Sequence, residues 1–155
     1  MLWKKTFTLE NLNQICANSA VSHLGIEISA FGEDWIEATM PVDHRTVQPF
    51  GVLHGGVSVA LAETIGSLAG SLCLEEGKAA VGLDINANHL RPVSSGKVTA
   101  RATPINLGRN IQVWQIDIRT EENKLCCVSR LTLSVINYDK TSKNRRITCQ
   151  SRYAR

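Results

Sequence analysis

Between residues 46 and 74 a single Asp, Glu, Lys or Arg occurs, and it is Glu63. Around it runs QPFGVLHGGVSVALAETIGSLAG, residues 48–70, built almost wholly of Ala, Val, Leu, Ile, Gly and Ser. After Gly55 and Gly56 the stretch has helical length, to about Leu74, with apolar and small residues on nearly every side. That pattern predicts a helix buried all round. Gly66 and Gly70 lower its intrinsic propensity, so packing must hold it, and small residues let other backbone come close. A chain committed to burying such a helix needs something to wrap it, and the remaining sequence supplies strands.

Before the helix, TLENLNQICA (8–17) predicts a short helix with Thr8 as N-cap and Leu9, Leu12, Ile15 and Cys16 on one face. Residues 25–31 and 34–42 read as strands joined by a turn at Gly32. In the second, Ile36, Ala38, Met40 and Val42 alternate with Trp35, Glu37 and Thr39, the mark of one buried face. Pro41, Pro49 and Gly51 then break the pattern into a loop reaching His54. Beyond the helix, strands are expected over 79–90, 96–105, 109–120 and 124–136, parted by RPVSSG, NLG and EENK. NIQVWQIDI sets Gln112, Trp114, Ile116 and Ile118 on one side of its strand. Short connections favour an antiparallel meander. The expected architecture is α+β: a curled antiparallel sheet of five to six strands around one long central helix.

The length of 155 residues suits one domain with a real core, and 43% hydrophobic with 20% charged residues is ordinary for a soluble protein. The net charge of +3 divides unevenly. From Tyr138 onward the chain holds six Lys or Arg and one Asp, so residues 1–137 carry about −2 and residues 138–155 about +5. A single domain over 1–137 and a basic, disordered tail over 138–155 are therefore expected. The positive excess lies in that tail with little aromatic interleaving, which argues against a nucleic-acid partner. No run approaches 18 uninterrupted apolar residues and no signal-peptide core opens the chain, so a cytoplasmic protein without membrane contact is expected. Five cysteines with no CxxC spacing, two of them adjacent, argue against disulfides and zinc.

An ionised carboxylate buried without partners costs several kcal/mol, so Glu63 needs a reason. It is a structural acid, a group facing a subunit interface, or a catalytic residue. HGG stands immediately before the helix, which leaves backbone N–H groups near Gly55 and Gly56 in the unpaired first turn. Glycine lets a ligand approach, and the helix dipole favours negative charge there, as an oxyanion site requires. His54 and Gln48 add polar groups at the mouth of the same loop. Ser67 follows Glu63 by four residues and shares its helix face. Glu63 lies eight residues beyond Gly55, about 12 Å along a helix. One small reacting centre cannot easily use both from one chain. The donors and the carboxylate are expected from two subunits across a two-fold axis.

These residues resemble those of the hotdog-fold acyl-CoA thioesterases. QPFGVLHGGVSVALAETIGS and NANHLRP (86–92) are similar to the signature of the phenylacetate-pathway type, over 1–137. IEATMPVD and VWQI are most similar to the 1,4-dihydroxy-2-naphthoyl-CoA thioesterases of menaquinone synthesis. The resemblance implies that Glu63 is the catalytic carboxylate, as nucleophile or as general base for water, and that Gly55 offers the N–H that polarises the thioester carbonyl. It implies assisting roles for His54, Gln48 and Ser67. For coenzyme A it points to Gly82, to His89, Leu90, Arg91 and Pro92, and to Asn106, Leu107, Gly108, Arg109, Asn110 and Ile111. It implies no metal, no cofactor beyond the coenzyme A of the substrate, and a homodimer with shared active sites within a homotetramer.

The acyl pocket is expected around Phe50, Val57, Ser58, Val59 and Leu61. Two rival functions stay open on the same fold. One is a hydratase or dehydratase of acyl thioesters that uses His54 and Glu63 for proton transfer; the other is a non-catalytic acyl-CoA-binding module.

Overall fold

The computed structural model describes residues 2–138; the tail expected from 138 lies, beyond Tyr138 itself, outside the described residues, as does Cys149. The described elements are α1 (Leu9–Cys16), α2 (Ala20–His23), β1 (Glu27–Phe31), β2 (Ile36–Pro41), α3 (Gly55–Leu72), β3 (Lys78–His89), β4 (Lys97–Leu107), β5 (Ile111–Thr120) and β6 (Leu125–Asn137). All pairings are antiparallel, in the order β1-β2-β4-β5-β6-β3. α3 packs against β2, β3, β4, β5 and β6, so the sheet curls around it. This is the expected architecture, with six strands.

Thr8 caps α1 by accepting the Asn11 N–H at 3.1 Å. Of the expected apolar face Leu12 is buried, while Ile15 stands 75% exposed. The four-residue α2, capped by Ser19, was not expected from its pattern. Asn13 reaches from α1 to the outer edge of β1, where its side-chain amide takes both the N–H and the C=O of Ile28, at 2.8 and 3.0 Å. It thereby acts as a strand partner on one sheet edge.

The alternation read in β2 and β5 is the buried face observed: Ile36, Ala38, Met40, Trp114, Ile116 and Ile118 are fully enclosed. Each Ile or Met among them contributes about 1.5–3 kcal/mol relative to exposure. Gln112 also lies in this core, donating to the Gly70 carbonyl at 3.3 Å and accepting from Trp114 Nε1 at 3.1 Å. The close approach at Gly66 and Gly70 is by side chains rather than backbone. A Cβ at 66 would lie 2.6 Å from Leu131, and one at 70 would press on Leu133 and on Gln112.

Two expectations are corrected. The chain is a meander only through β4, β5 and β6; β3 crosses to the far edge and pairs with β6. And α3 is not buried all round: Ser58, Leu61, Ala62, Ile65, Gly66, Ala69, Gly70 and Leu72 face the sheet, whereas Glu63 is exposed and Val59, Ala60 and Ser67 are half-buried. One chain has a single sheet with which to cover a helix that is apolar on both faces, so the second face stays open.

Candidate active site

The loop before α3 is tied down at nearly every polar group. Thr46, fully buried, donates its hydroxyl to the Pro41 carbonyl at 2.8 Å and accepts the Asp43 N–H at 2.9 Å. Its backbone carbonyl accepts the His54 N–H at 2.9 Å. The Arg45 guanidinium and backbone N–H hold the Asp43 carboxyl down at about 2. Gln48 and Val52 close a tight turn with Gly51 in the left-handed region, φ +79°, where glycine fits without strain. Phe50 at its tip is 92% exposed.

This loop delivers His54 as the N-cap of α3. Its Nδ1 accepts the Gly56 N–H at 2.9 Å, and its carbonyl accepts the Val57 and Ser58 N–H groups at 3.0 Å. The Ser58 bond is the first regular turn of the helix, and of the four amides that a helix start leaves open, those of His54, Gly56 and Val57 are satisfied, the first by the Thr46 carbonyl. The Gly55 N–H makes no hydrogen bond among the described residues. A backbone amide can only donate, so Nδ1 of His54 must be the accepting nitrogen and its proton sits on Nε2. His54 therefore offers an outward N–H.

A cleft of about 350 Å3 opens at this helix start, lined by Gln48, Gly55 and Ser58 and by His89, Leu90, Arg91 and Pro92. The His89 ring packs on Gly55, where a Cβ would come within 2.8 Å of Nε2. The Gln48 side-chain oxygen accepts the Phe50 N–H, and its NH2 makes no hydrogen bond among the described residues. Arg91 is exposed and forms no ion pair among the described residues. Cys126 and Cys127, which sequence reasoning did not place here, line the cleft floor. Burial pushes the Cys127 thiol up and the Cys126 thiol up to about 11, with the neighbouring Cys127 adding to the latter. Both stay protonated at neutral pH and are poor nucleophiles. They reach this cleft through the pairing of His89 with Cys127 across β3 and β6, a long-range contact with no local signal.

The other expected residues lie elsewhere. Glu63 sits on the open face of α3, about 12 Å along the helix from Gly55. It makes no hydrogen bond or ion pair among the described residues, and its carboxylate lies over Gly82 of β3, where a Cβ would be 2.8 Å from Oε1. Ser67 shares this face but does not bond to Glu63. The turn at 106–111 is held by Gly108 N–H to the Ile111 carbonyl at 2.9 Å and by Val135 N–H to the Asn110 carbonyl at 2.8 Å. Ile111 pairs with Ser134, which pairs with Val81, so this turn lies at the Gly82 end of the sheet. Gly82 and His89 are seven residues apart, roughly 23 Å of strand. The residues expected at coenzyme A thus fall into two groups in one chain, residues 89–92 at the helix start and Gly82 with 106–111 beyond it. Of the expected acyl-pocket residues, Ser58 lines the cleft, but Leu61 is fully enclosed in the core.

A larger groove, about 740 Å3, lies on the outer sheet face among Glu37, Arg101, Asp117 and Arg119. Four of its charges are paired, Arg101 with Glu37 at 2.7 Å and Arg119 with Asp117 at 3.5 Å, and it holds none of the expected reacting groups. Among the described residues no three His, Cys, Asp or Glu side chains are grouped to hold a metal ion, and no helix is long and apolar enough to cross a membrane.

Comparison with known proteins bears on what this arrangement does. Residues 50–127 match the Thioesterase superfamily. The chain is 52% identical over 136 residues to a 1,4-dihydroxy-2-naphthoyl-CoA hydrolase of Escherichia coli, covering 88% of this chain and 100% of that protein. It is also 52% identical to the proofreading thioesterase EntH of Cronobacter turicensis, covering 88% and 99%. Among solved structures it is similar to a thioesterase from Haemophilus influenzae, with 92% identity, a TM-score of 0.89, and 92% and 99% of the two chains covered. With residues 50–127 matching that family and relatives at this identity covered almost end to end, this chain belongs to the hotdog-fold thioesterase superfamily.

Proposed function

We propose that this thioesterase hydrolyses aromatic acyl-CoA thioesters, 1,4-dihydroxy-2-naphthoyl-CoA first among them, at sites shared by two copies of the chain. The carrying observation is the cleft lined by both Gly55 and Gln48, where the Gly55 N–H and the Gln48 NH2 make no hydrogen bond among the described residues, with the His54 side chain capping the same helix start. A thioester carbonyl placed there meets donors aimed at the oxygen that becomes negative when the carbonyl is attacked. Arg91 at the mouth of the cleft suits a phosphate of coenzyme A, which a guanidinium binds in bidentate fashion.

The carboxylate comes from Glu63 of the partner subunit. Three features support a dimer: the 12 Å separation within one chain, the open face of α3, and the outer edge of β3, where Leu83 is 59% exposed. Glu63 either attacks the carbonyl carbon, giving a mixed anhydride that water then opens, or takes a proton from the attacking water. In both routes the C–S bond breaks, the sulfur leaves with a proton, and the acid and free coenzyme A result.

The cap of α3 also weighs against a hydratase. With its Nδ1 taken by the Gly56 N–H and hydrogen on Nε2, neutral His54 has no free accepting nitrogen to remove an α-proton, which leaves Glu63 as the one base of that pair. The test is release of free thiol from 1,4-dihydroxy-2-naphthoyl-CoA, benzoyl-CoA and straight-chain acyl-CoAs at matched concentrations. A higher kcat/KM on the aromatic thioesters is expected. Equal values across the panel sink the aromatic preference, and no thiol above background sinks the hydrolase.

A further inference from the structure

β3 changes phase beside the exposed carboxylate. Ala80 faces α3, its Cβ lying 3.4 Å from where a Cβ at Gly70 would be, and Gly82 faces Glu63. Strict alternation would next turn residues 84, 86 and 88 toward the helix. Instead Ile85 and Ala87 pack on the core and His89 packs on Gly55. The switch is a β-bulge: Gly82 pairs with Leu133 and Asp84 with Thr132, which leaves Leu83 as an extra residue. Bulges re-aim side chains in this way. Here the extra residue lets one strand place Gly82 under the carboxylate and His89 against the open amide, on the same face.

We infer that Gly82, next to this bulge, is a positioning residue: its missing side chain leaves the recess in which the Glu63 carboxylate rests. The inference deepens the proposed reaction and rests on the reading of Glu63 as its carboxylate. It gives Gly82 a role other than contact with coenzyme A. A methyl group at 82 would lie 2.8 Å from Glu63 Oε1, closer than two such atoms come without one of them moving. The atom it meets is the far end of a flexible, exposed side chain, not backbone or core. Folding is therefore expected to tolerate the methyl group, and the displaced carboxylate bears the effect. A misplacement of about 1 Å at a reacting group costs on the order of 10²-fold in rate.

The experiment compares wild type, Gly82→Ala, Glu63→Asp and the double variant, using thermal melting and steady-state thiol release from benzoyl-CoA. Gly82→Ala is expected to melt with wild type, to lose roughly ten- to a hundredfold in kcat, and to keep KM within about twofold. Aspartate withdraws the carboxylate by one methylene from the space the methyl group fills. The double variant is therefore expected to be no slower than the slower single variant. Three outcomes overturn the positioning role: a raised KM with kcat held, as a coenzyme A contact would give; losses that multiply in the double variant; or loss of the melting transition in Gly82→Ala. An active wild type with an unaffected Gly82→Ala overturns this role alone, whereas a wild type that releases no thiol takes the proposed reaction down with it.

Discussion

The first turn and the third turn of α3 differ in how completely one chain builds them. At the first turn Thr46, His54 and the loop bonds around Gln48 satisfy nearly every polar group, and one amide is left over. At the third turn Glu63 is exposed over a glycine, without a hydrogen bond or ion pair among the described residues, on a helix face that those residues leave uncovered. In the proposed reaction the first is a preorganised site awaiting a ligand, and the second is half of a site that another copy completes. Preorganised donors stabilise developing charge without reorganisation, whereas a carboxylate gains reactivity only when its surroundings are completed.

The strongest way to break this contrast is Glu63→Gln. It removes the charge and keeps the shape, so kcat is expected to fall by about 10³-fold or more while affinity for a non-hydrolysable acyl-CoA analogue stays within a few-fold. Retained turnover would remove Glu63 from the chemistry. Next in size is Gly55→Pro. Proline is tolerated at the first helical position, and His54 has the extended backbone, φ −68° and ψ 129°, that a following proline prefers. The substitution deletes the open N–H and its Cβ pushes the His89 ring aside; kcat should drop by roughly 10²- to 10³-fold with the fold intact by circular dichroism, and by more than in Gly55→Ala, which moves the ring but keeps the N–H.

Mixing the two inactive proteins after reversible unfolding sharpens the comparison. If each site takes its amide from one copy and its carboxylate from the other, half of the dimers are hybrids with one intact site. About a quarter of wild-type activity should then return. No recovery would place both groups in one chain.

Arg91→Ala should raise KM by about tenfold and leave kcat nearly unchanged, in keeping with loss of one charge-assisted phosphate contact. The smallest effect is on stability. His54→Ala bares the Gly56 amide and is expected to cost about 1 kcal/mol, read as a fall of a few degrees in Tm. His54→Ser should recover the Tm through its own cap but not the activity, because serine at the cap has no donor in the place of Nε2–H.

Much of the site was legible because it is local. HGG before an apolar run marks a helix start, and a lone Glu eight residues on marks a carboxylate about 12 Å from that start within one chain. The helix buried all round is what the pattern overstates, since Glu63 is exposed. An apolar face pattern reports that a surface will be covered, not whether the same chain covers it. The grouping of residues 89–92 with Gln48 and of Gly82 with 106–111 was hidden for a different reason. It depends on β3 lying beside β6, and strand order is a long-range property that neighbouring residues do not encode.

By itself the sequence determined the long helix, its glycine start, its single carboxylate and the strands that wrap it, since each follows from side-chain period, capping and turn chemistry. Only the tertiary structure decided which face of each strand meets that helix along its whole length. One extra residue at Leu83 reverses the alternation of β3, so residues of opposite parity, Gly82 and His89, both turn inward. The physical reason is that period-2 alternation holds only while two strands keep register, and a bulge is set by the partner strand as well as by the residues that form it.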